Sequence, residues 1–488
     1  MGEKILVLDA GTTSTRAMVF DRHGRMERVA QAELTQHYPK PGWVEHDAAE
    51  IWDKTLACMR EAVGDGAARI AAIGITNQRE TVVAWDRTSG EPLARAIVWQ
   101  DRRTAGFCAK LKEQGHEAEI QKRTGLLLDP YFSGTKMRWM LDNDEGVRSA
   151  ADSGALAFGT VESWLVFKLS GGASHISDAS NASRTLLLAL DGEQFGERLC
   201  ELFGVPREAL PQVVDTHGRL AECDSQWLGT SIPICGLVGD QQSATIGQGC
   251  LGFGETKATY GTGAFVLTNK GSELPHSDNR LLGTVLHQSN GERTYAIEGA
   301  CFVAGSLVQY LRDQLGLIGS AAETEELARS IEDSGEVVIV PALAGLGAPH
   351  WRPDARGVIS GLSFASGKAQ IARAALEAMA HQTHDLASAF AADGAPWASL
   401  KIDGGMSAND WMAQDLADIL DLDVERPDFV ETTALGAAIC ASVGAGLHSS
   451  LQEAATAMRG DARTFAPTMD EDTRNDRLAR YARALSVA

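Results

Sequence analysis

The sequence lacks any C-x-x-C pair, although it contains eight cysteines. Structural zinc sites and redox dithiols usually need such closely spaced thiols, so neither is expected here. Most of the cysteines lie in apolar segments. We therefore expect reduced, buried thiols in a cytoplasmic protein and no disulfides.

A long apolar run is also missing. The most apolar segment, residues 434–447, is shorter than the ~20 residues that a membrane-spanning helix needs. Its many small residues predict a tightly packed core helix. The first predicted strand begins near Lys4, which leaves no room for a secretion signal. We expect no membrane insertion.

Positive charge is scarce. The chain of 488 residues has 44 Lys and Arg against 65 Asp and Glu, which gives a net charge of −21. Such a surface argues against nucleic acid and anionic membranes as partners. Any phosphate site must then be made locally positive by Mg²⁺, by arginine or by helix N-termini. The length allows two or three domains.

The most informative segment is residues 5–16. An apolar run ends at Asp9, and Gly11, four hydroxyl residues and Arg16 follow. Such a loop offers N–H groups, hydroxyls and one carboxylate to a phosphate and its metal ion. A second apolar run and a turn at residues 21–24 come next, which predicts strand, phosphate loop, strand, hairpin and strand. This order is typical of actin-like ATPases and sugar kinases; a plain hairpin turn is the alternative.

A second glycine hairpin lies at residues 258–267 and resembles the first. This weak internal repeat predicts two similar halves that face each other across a cleft. We place the boundary at Gly249, which gives predicted domains of residues 1–248 and 249–488.

Polar residues also end other buried strands. Arg79 and Glu80 follow the strand at residues 69–76, and their donor fork and acceptor suit vicinal hydroxyls, although a surface ion pair in a turn is the alternative. Asp240 follows the strand at residues 233–239. Trp99 ends another apolar run, either as a substrate wall or as a core residue.

Three further features lie in the second half of the chain. The Asp403-Gly-Gly turn between a strand and a helix would let a flat ring approach the backbone, as adenine does. His381 and His384 lack metal-site spacing and are predicted to be solvated or capping. The charged stretch of residues 461–488 is predicted to be a peripheral tail.

Taken together and in this order, these motifs are specific enough to indicate a protein family. The chain resembles the FGGY family of carbohydrate kinases, and most closely its members that phosphorylate glycerol, from about residue 4 to residue 460. The segments that carry the resemblance are DAGTTS (9–14), PKPGWVEHD (39–47), GITNQRET (74–81), DPYFSGTK (129–136), NASRT (181–185), GDQQ (239–242), YGTG (260–263) and DGG (403–405).

The resemblance implies an α/β fold of two actin-like (ribonuclease H-like) domains that flank a catalytic cleft. It also implies phosphorylation of glycerol to sn-glycerol 3-phosphate by ATP. Asp240 would be the general base and Asp9 would hold Mg²⁺ through water. The glycerol contacts would be Arg79, Glu80, Tyr131, Asp240 and Gln241, with Trp99 and Phe265 as apolar walls. The ATP contacts would be Thr12, Thr13, Ser14, Arg16, Thr262, Gly305, Gln309, Gly405 and Asn409.

The resemblance further implies a homo-oligomer, either a dimer or a tetramer. Some members of the family bind fructose 1,6-bisphosphate through an arginine that residues 226–233 lack, so we expect this inhibition to be absent. Two alternatives stay open. One is a kinase for another small polyol or ketose, although three aromatic walls favour a three-carbon substrate. The other is a non-catalytic actin-like nucleotide sensor, against which Asp240 and the Arg79-Glu80 pair argue.

Overall fold

Two large β-sheets, of six and seven strands, organise the chain. The structure is a computed structural model and describes residues 3–352, 354–429 and 431–488. Each sheet has helices packed against it and its own buried apolar core. The fold is therefore mixed α/β, as the sequence predicts.

The strands up to residue 239 are β1 (Lys4–Ala10), β2 (Ser14–Phe20), β3 (Met26–Glu33), β4 (Glu45–His46), β5 (Ile70–Asn77), β6 (Val83–Asp86), β7 (Ala96–Ile97), β8 (Leu156–Gly159), β9 (Ile176–Asp178), β10 (Gln212–Val214), β11 (His217–Cys223) and β12 (Ile232–Gly239). The later strands are β13 (Glu255–Tyr260), β14 (Ala264–Gly271), β15 (Leu282–Ser289), β16 (Glu292–Cys301), β17 (Val338–Val340), β18 (Val358–Ser360), β19 (Ser399–Asp403), β20 (Val424–Pro427) and β21 (Ala462–Phe465).

The helices up to residue 247 are α1 (Ala48–Val63), α2 (Ala105–Glu113), α3 (Glu117–Thr124), α4 (Ser133–Asn143), α5 (Glu145–Asp152), α6 (Val161–Leu169), α7 (Ala179–Ala182), α8 (Glu197–Phe203), α9 (Ser225–Leu228) and α10 (Asp240–Gly247). The later helices are α11 (Gly305–Asp313), α12 (Glu323–Arg329), α13 (Lys368–Ala392), α14 (Asp410–Leu420), α15 (Thr432–Gly444), α16 (Leu451–Met458) and α17 (Glu471–Leu485). Short 3₁₀ turns lie at Gly64–Arg69, Arg207–Ala209 and Gly405–Ala408.

The first sheet has the order β11-β12-β5-β1-β2-β3. Strands β12, β5 and β1 run parallel, and their apolar residues are buried on both faces, which is typical of parallel strands. Asp9 pairs with Thr76, and Val238 pairs with the same Thr76. The polar residues that follow these three strands therefore meet at one edge of the sheet.

The second sheet has the order β15-β16-β14-β13-β19-β20-β21. It repeats the local pattern of the first, because the β13–β14 hairpin has a parallel neighbour, β19, just as the β1–β2 hairpin has β5. The predicted internal repeat is thus present in the topology. The exact boundary at residue 248 remains a prediction.

Helix α15 contains much of the most apolar segment of the sequence and is buried, as predicted. It packs on β12, β5 and β1 of the first sheet, and it also packs closely against α10. A Cβ atom added at Gly436 would lie 1.8 Å from the Ser243 carbonyl oxygen. This close approach requires glycine and fixes the position of α10, which begins at Asp240.

The predicted peripheral tail is wrong. Strand β21 pairs with β20 in the second sheet, and α17 buries Arg477 and Tyr481. Arg477 donates two hydrogen bonds to the Asp415 carboxylate, at 2.6 and 2.9 Å. The charges of this segment misled the prediction because one of them forms a buried ion pair. His381, predicted to be solvated or capping, is instead buried and stacks on Tyr481.

No helix within the described residues is long and apolar enough to cross a membrane.

Candidate active site

The first hairpin has the predicted form. Strands β1 and β2 enclose a turn at residues 11–13, in which Gly11 N–H donates to the Ser14 carbonyl at 3.0 Å. Asp9 and Arg16 are paired across the two strands, and Arg16 Nη2 lies 2.5 Å from Asp9 Oδ2. Thr12 and Ser14 are partly exposed and Thr13 is exposed, so the turn offers its polar groups to a ligand.

Asp9 itself is almost completely buried. Burial raises the pKa of its carboxyl, and the charge of Arg16 counteracts that rise. Arg16 also donates to Glu431 Oε2 at 2.6 Å, which ties the first hairpin to the residue just before α15.

The second hairpin is joined to the start of α11. The Thr262 carbonyl accepts from Ala304 N–H at 2.9 Å, and Gly305 N–H donates to the Gly261 carbonyl at 2.9 Å. A Cβ at Gly305 would lie 2.6 Å from the Gly261 oxygen, so only glycine fits this junction. Thr262 and Gly305 are thereby brought together, and the exposed Gln309 lies one helical turn further along.

The Asp403-Gly-Gly turn lies beside this hairpin, because Asp403 pairs with Thr259 across β19 and β13. Gly404 has a φ of 88°, and a Cβ there would lie 2.5 Å from the Tyr260 carbonyl oxygen. The next residue, Gly405, would have nothing within 4 Å of an added Cβ, so it borders open space.

Asn409 lies close to this turn, but its side chain already makes hydrogen bonds within the protein. Its side-chain oxygen accepts from Met412 N–H at 2.9 Å and caps α14, and its amide nitrogen lies 3.4 Å from Thr324 Oγ1. For an ATP contact this side chain would use its second N–H or the second lone pair of its oxygen.

The centre of the site is a buried cluster of two arginines and two glutamates. Arg79 donates two hydrogen bonds to the carboxylate of Glu298 on β16, at 2.7 and 3.2 Å, and Arg184 donates to the same carboxylate at 3.2 Å. Arg184 also donates to Glu80 at 2.6 Å. All four residues are at most 3% exposed, which excludes the alternative of a surface ion pair. The two guanidinium groups hold the pKa of Glu298 at about 2, against the upward effect of burial.

Glu80 also has an unusual backbone, with a φ of 62°. For a residue other than glycine this left-handed conformation costs on the order of 1–3 kcal/mol and persists only where the surroundings enforce it. Strain of this kind is concentrated at functional sites, which fits the predicted role of Glu80.

Three aromatic residues were predicted as substrate contacts. Trp99 donates from Nε1 to Thr12 Oγ1 at 2.9 Å and meets Tyr131 edge to face, with ring centroids 5.7 Å apart. The Tyr131 hydroxyl lies 3.5 Å from Arg79 Nη2. Phe265 of β14 is paired with Thr259 and Ala300, two positions along the strand from Leu267, which pairs with Glu298.

Asp240 opens α10 directly after β12 and is partly exposed. Its Oδ1 accepts from Gln241 N–H at 2.7 Å and lies 3.2 Å from Arg79 Nε. Partial burial raises the pKa of Asp240, while the charge of Arg79, the hydrogen bond from Gln241 N–H and the charge of Lys257 counteract the rise. Asp240, Gln241 and Arg79 are thus brought together as predicted.

Sequence reasoning missed three residues of this site: Arg184, Lys257 and Glu298. Lys257 of β13 donates to Gln241 Oε1 at 2.7 Å. Lys257 lies between Thr256 and Ala258, and Glu298 lies between Ile297 and Gly299, so each is a charged residue whose immediate neighbours in the strand are uncharged. That pattern is the signal that could have identified them, since an unneeded buried charge is costly.

The comparisons with known proteins agree with this architecture. Residues 4–247 match the N-terminal domain of the FGGY family of carbohydrate kinases, and residues 256–445 match the C-terminal domain of the same family. The chain is 52% identical over 485 residues to a glycerol kinase of Rhodospirillum rubrum, covering 99% of this chain and 98% of the relative. It is 51% identical over 495 residues to a glycerol kinase of Methylobacterium nodulans, with 99% and 98% covered.

Solved structures of carbohydrate kinases are also similar to this chain. The glycerol kinase of Plasmodium falciparum with ADP superposes with a TM-score of 0.95 at 34% identity, over 100% of this chain and 98% of that one. A xylulose kinase of Rhodospirillum rubrum has a TM-score of 0.87 at 23% identity, over 99% and 98%, and shares the fold.

The two sheets, the paired hairpins and the polar strand ends define a two-domain α/β kinase fold. The chain belongs to the FGGY family of carbohydrate kinases.

Proposed function

We propose that this protein transfers the γ-phosphate of ATP to glycerol and forms sn-glycerol 3-phosphate. The main support is the position of Asp240, whose carboxylate lies 3.2 Å from Arg79 Nε. Both residues lie at the edge of the first sheet where the β1–β2 hairpin also has its turn. The identity of about half of all residues to glycerol kinases over nearly the whole chain supports glycerol as the acceptor.

Asp240 is proposed to act as the general base. Its described contacts, from Gln241 N–H and Arg79, fall on Oδ1, so Oδ2 is the oxygen that takes the proton of the substrate hydroxyl. A pKa raised by burial makes this carboxylate a better proton acceptor than an exposed aspartate. Phosphoryl transfer otherwise needs positioning and charge neutralisation more than covalent help.

The polyol would be held by the buried Arg79 and Glu80 and by the partly exposed Tyr131 and Gln241, with Trp99 and Phe265 as walls. Because Arg79 and Glu80 are already desolvated, a ligand that fails to pair with one of them loses about 1–3 kcal/mol per missing hydrogen bond. Hydroxyl spacing therefore decides which polyol is accepted.

The nucleotide would be held by both hairpins and the glycine turn, through the predicted contacts Thr12, Thr13, Ser14, Arg16, Thr262, Gly305, Gln309, Gly405 and Asn409. The first hairpin and Arg16 suit the phosphates. The open space at Gly405 suits the flat base and ribose.

Asp9 fits Mg²⁺ of the kind that kinases use. No group of three or more His, Cys, Asp or Glu side chains that could cage a metal occurs in the part of the chain that the structure describes. Mg²⁺ in such sites usually takes one or two carboxylates and otherwise water and phosphate oxygens. When bound, the ion would neutralise charge on the transferred phosphate.

Location and assembly are further proposals. All eight cysteines are free and buried, which supports a reducing compartment such as the cytoplasm. A homo-oligomer remains a prediction from the family resemblance, and light scattering coupled to size-exclusion chromatography tests it.

A substrate panel tests the proposed function. Glycerol, dihydroxyacetone, erythritol, ribitol and xylulose are each assayed with ATP, and kcat/KM is compared. Glycerol is expected to give the largest value. A larger value for any other compound would assign a different substrate, and binding of ATP without transfer to any of them would favour a nucleotide sensor.

A further inference from the structure

A lysine from the second sheet reaches the predicted substrate pocket. Lys257 lies on β13 and is completely buried. Its Nζ donates to Gln241 Oε1 at 2.7 Å and to Thr259 Oγ1 at 3.0 Å. Gln241 belongs to α10, which follows the first sheet, so this hydrogen bond joins the two halves of the molecule.

The sheet register explains why Lys257 points there. Lys257 pairs with Leu267, and Leu267 pairs with Glu298, so the three residues form one row across β13, β14 and β16. Residues in one such row share a face of the sheet. Lys257 and Glu298 thus carry opposite charges to the same face, where Glu298 binds Arg79.

The fold does not need a charge at this position. When the two hairpins are aligned on Gly11 and Gly261, Lys257 corresponds to Val7 of β1. Val7 is fully buried in an apolar cluster. A lysine buried in the same kind of position is expensive, and burial lowers its pKa while Asp403 and Asp240 raise it again. Its presence there calls for a role outside packing.

The hydrogen bond to Gln241 decides which way the amide faces. An ammonium group can only donate, so the atom of Gln241 that it contacts must be the oxygen. The NH₂ group of Gln241 then points away from Lys257, and it donates to none of the residues that the structure describes, so it can donate to a ligand. A substrate hydroxyl in the pocket would meet a donor there, next to the carboxylate of Asp240.

We propose that Lys257 is a positioning residue that fixes the amide of Gln241 as a hydrogen-bond donor to the substrate polyol. The donor is correctly oriented only while the second sheet is held against α10. This inference rests on the proposed function, because it assigns Lys257 to the acceptor side of that same site.

The test is a double-mutant cycle of Lys257→Met and Gln241→Ala, with KM and kcat measured for the acceptor and for ATP. Methionine keeps an unbranched side chain of similar length and removes the ammonium. Lys257→Met alone is expected to raise KM for the acceptor about tenfold, the loss of one oriented hydrogen bond, with KM for ATP within about twofold of wild type. In the Gln241→Ala background the same substitution should change kcat/KM by less than about twofold.

Lys401→Met is the matched control. Lys401 pairs with Lys257 across β19 and β13 and is also buried, but its Nζ contacts the Gly249 carbonyl. Its kinetic constants should stay within about twofold of wild type. If Lys257→Met does not fold, Lys257→Gln, whose shorter side chain removes the ammonium, replaces it in the same cycle.

Two outcomes would overturn the inference: an unchanged KM for the acceptor in Lys257→Met, or an equal loss of kcat/KM with and without Gln241. The cycle is run on whichever panel substrate the wild-type protein phosphorylates best. A failure of glycerol as substrate is therefore seen in the wild type and is distinct from a failure of the role of Lys257.

Discussion

Glu298 is the residue whose removal should disturb the site most. Its carboxylate neutralises Arg79 and Arg184, and all three side chains are at most 2% exposed. Glu298→Gln keeps the shape of the side chain but removes a carboxylate that both guanidinium groups share. Arg184 then keeps Glu80, and Arg79 keeps Asp240 and the more distant Glu80.

The magnitude follows from the pKa of Glu298, which the arginines hold at about 2 against an ordinary value of 4.5. A difference of this size corresponds to about 3 kcal/mol of folding free energy. Removing one partner of a buried ion pair typically costs about 3–5 kcal/mol, and the value obtained from the pKa lies at the lower end of this range. We expect Glu298→Gln to lower the free energy of unfolding by about 3 kcal/mol at pH 7 and to raise KM for glycerol, because Arg79 loses its anchor.

The pH dependence has a definite sign. Since the pKa is depressed in the folded state, this stabilisation is fully present above about pH 4.5 and is lost as the pH falls toward 2. The difference in unfolding free energy between wild type and Glu298→Gln should therefore shrink between pH 5 and pH 3.

Urea denaturation monitored by tryptophan fluorescence measures both effects. Glu292→Gln, an exposed position on the same strand, is the control and should stay within about 0.5 kcal/mol of wild type. A Glu298→Gln variant as stable as Glu292→Gln, or a loss of stability that does not depend on pH, would contradict this role of Glu298.

Two further predictions concern the base and the helix contact. Asp240→Asn should lower kcat about 10²–10⁴-fold, while its affinity for ATP, measured by calorimetry, stays within about threefold of wild type. In the wild type, kcat/KM should fall at acid pH with an apparent pKa above that of an ordinary aspartate. Transfer by Asp240→Asn at near the wild-type rate would mean that the base is wrongly assigned. Gly436→Ala should destabilise the protein by about 1–3 kcal/mol in urea denaturation, because its Cβ would collide with the Ser243 carbonyl. Gly106→Ala, which has open space on α2, should be neutral or slightly stabilising, and equal stability of the two variants would contradict the close contact of α10 and α15.

Much of the fold was predictable because its signals are local. The run before Asp9, the glycine turns and the polar strand ends each report on a few adjacent residues, and the structure confirms two hairpins with polar residues at one sheet edge. The buried helix α15 was equally visible, since small and apolar residues fill the whole segment.

The rest depends on partners far apart in the chain. Arg79 and Glu298 are 219 residues apart, and the Lys257 contact with Gln241 depends on the register of the second sheet. A charge pattern cannot show that the partner of Arg477 is a buried aspartate, which is why α17 was mistaken for a peripheral segment. Individual site roles, including the base and the metal ligand, remain predictions.

The most direct test of the central claim is the ³¹P NMR spectrum of the products formed by the wild-type protein from glycerol, ATP and Mg²⁺. We expect ADP and one phosphate monoester in equal amounts, with the monoester oxidised completely by a dehydrogenase specific for sn-glycerol 3-phosphate. Inorganic phosphate as the sole new product, or a monoester that this dehydrogenase does not accept, would contradict it.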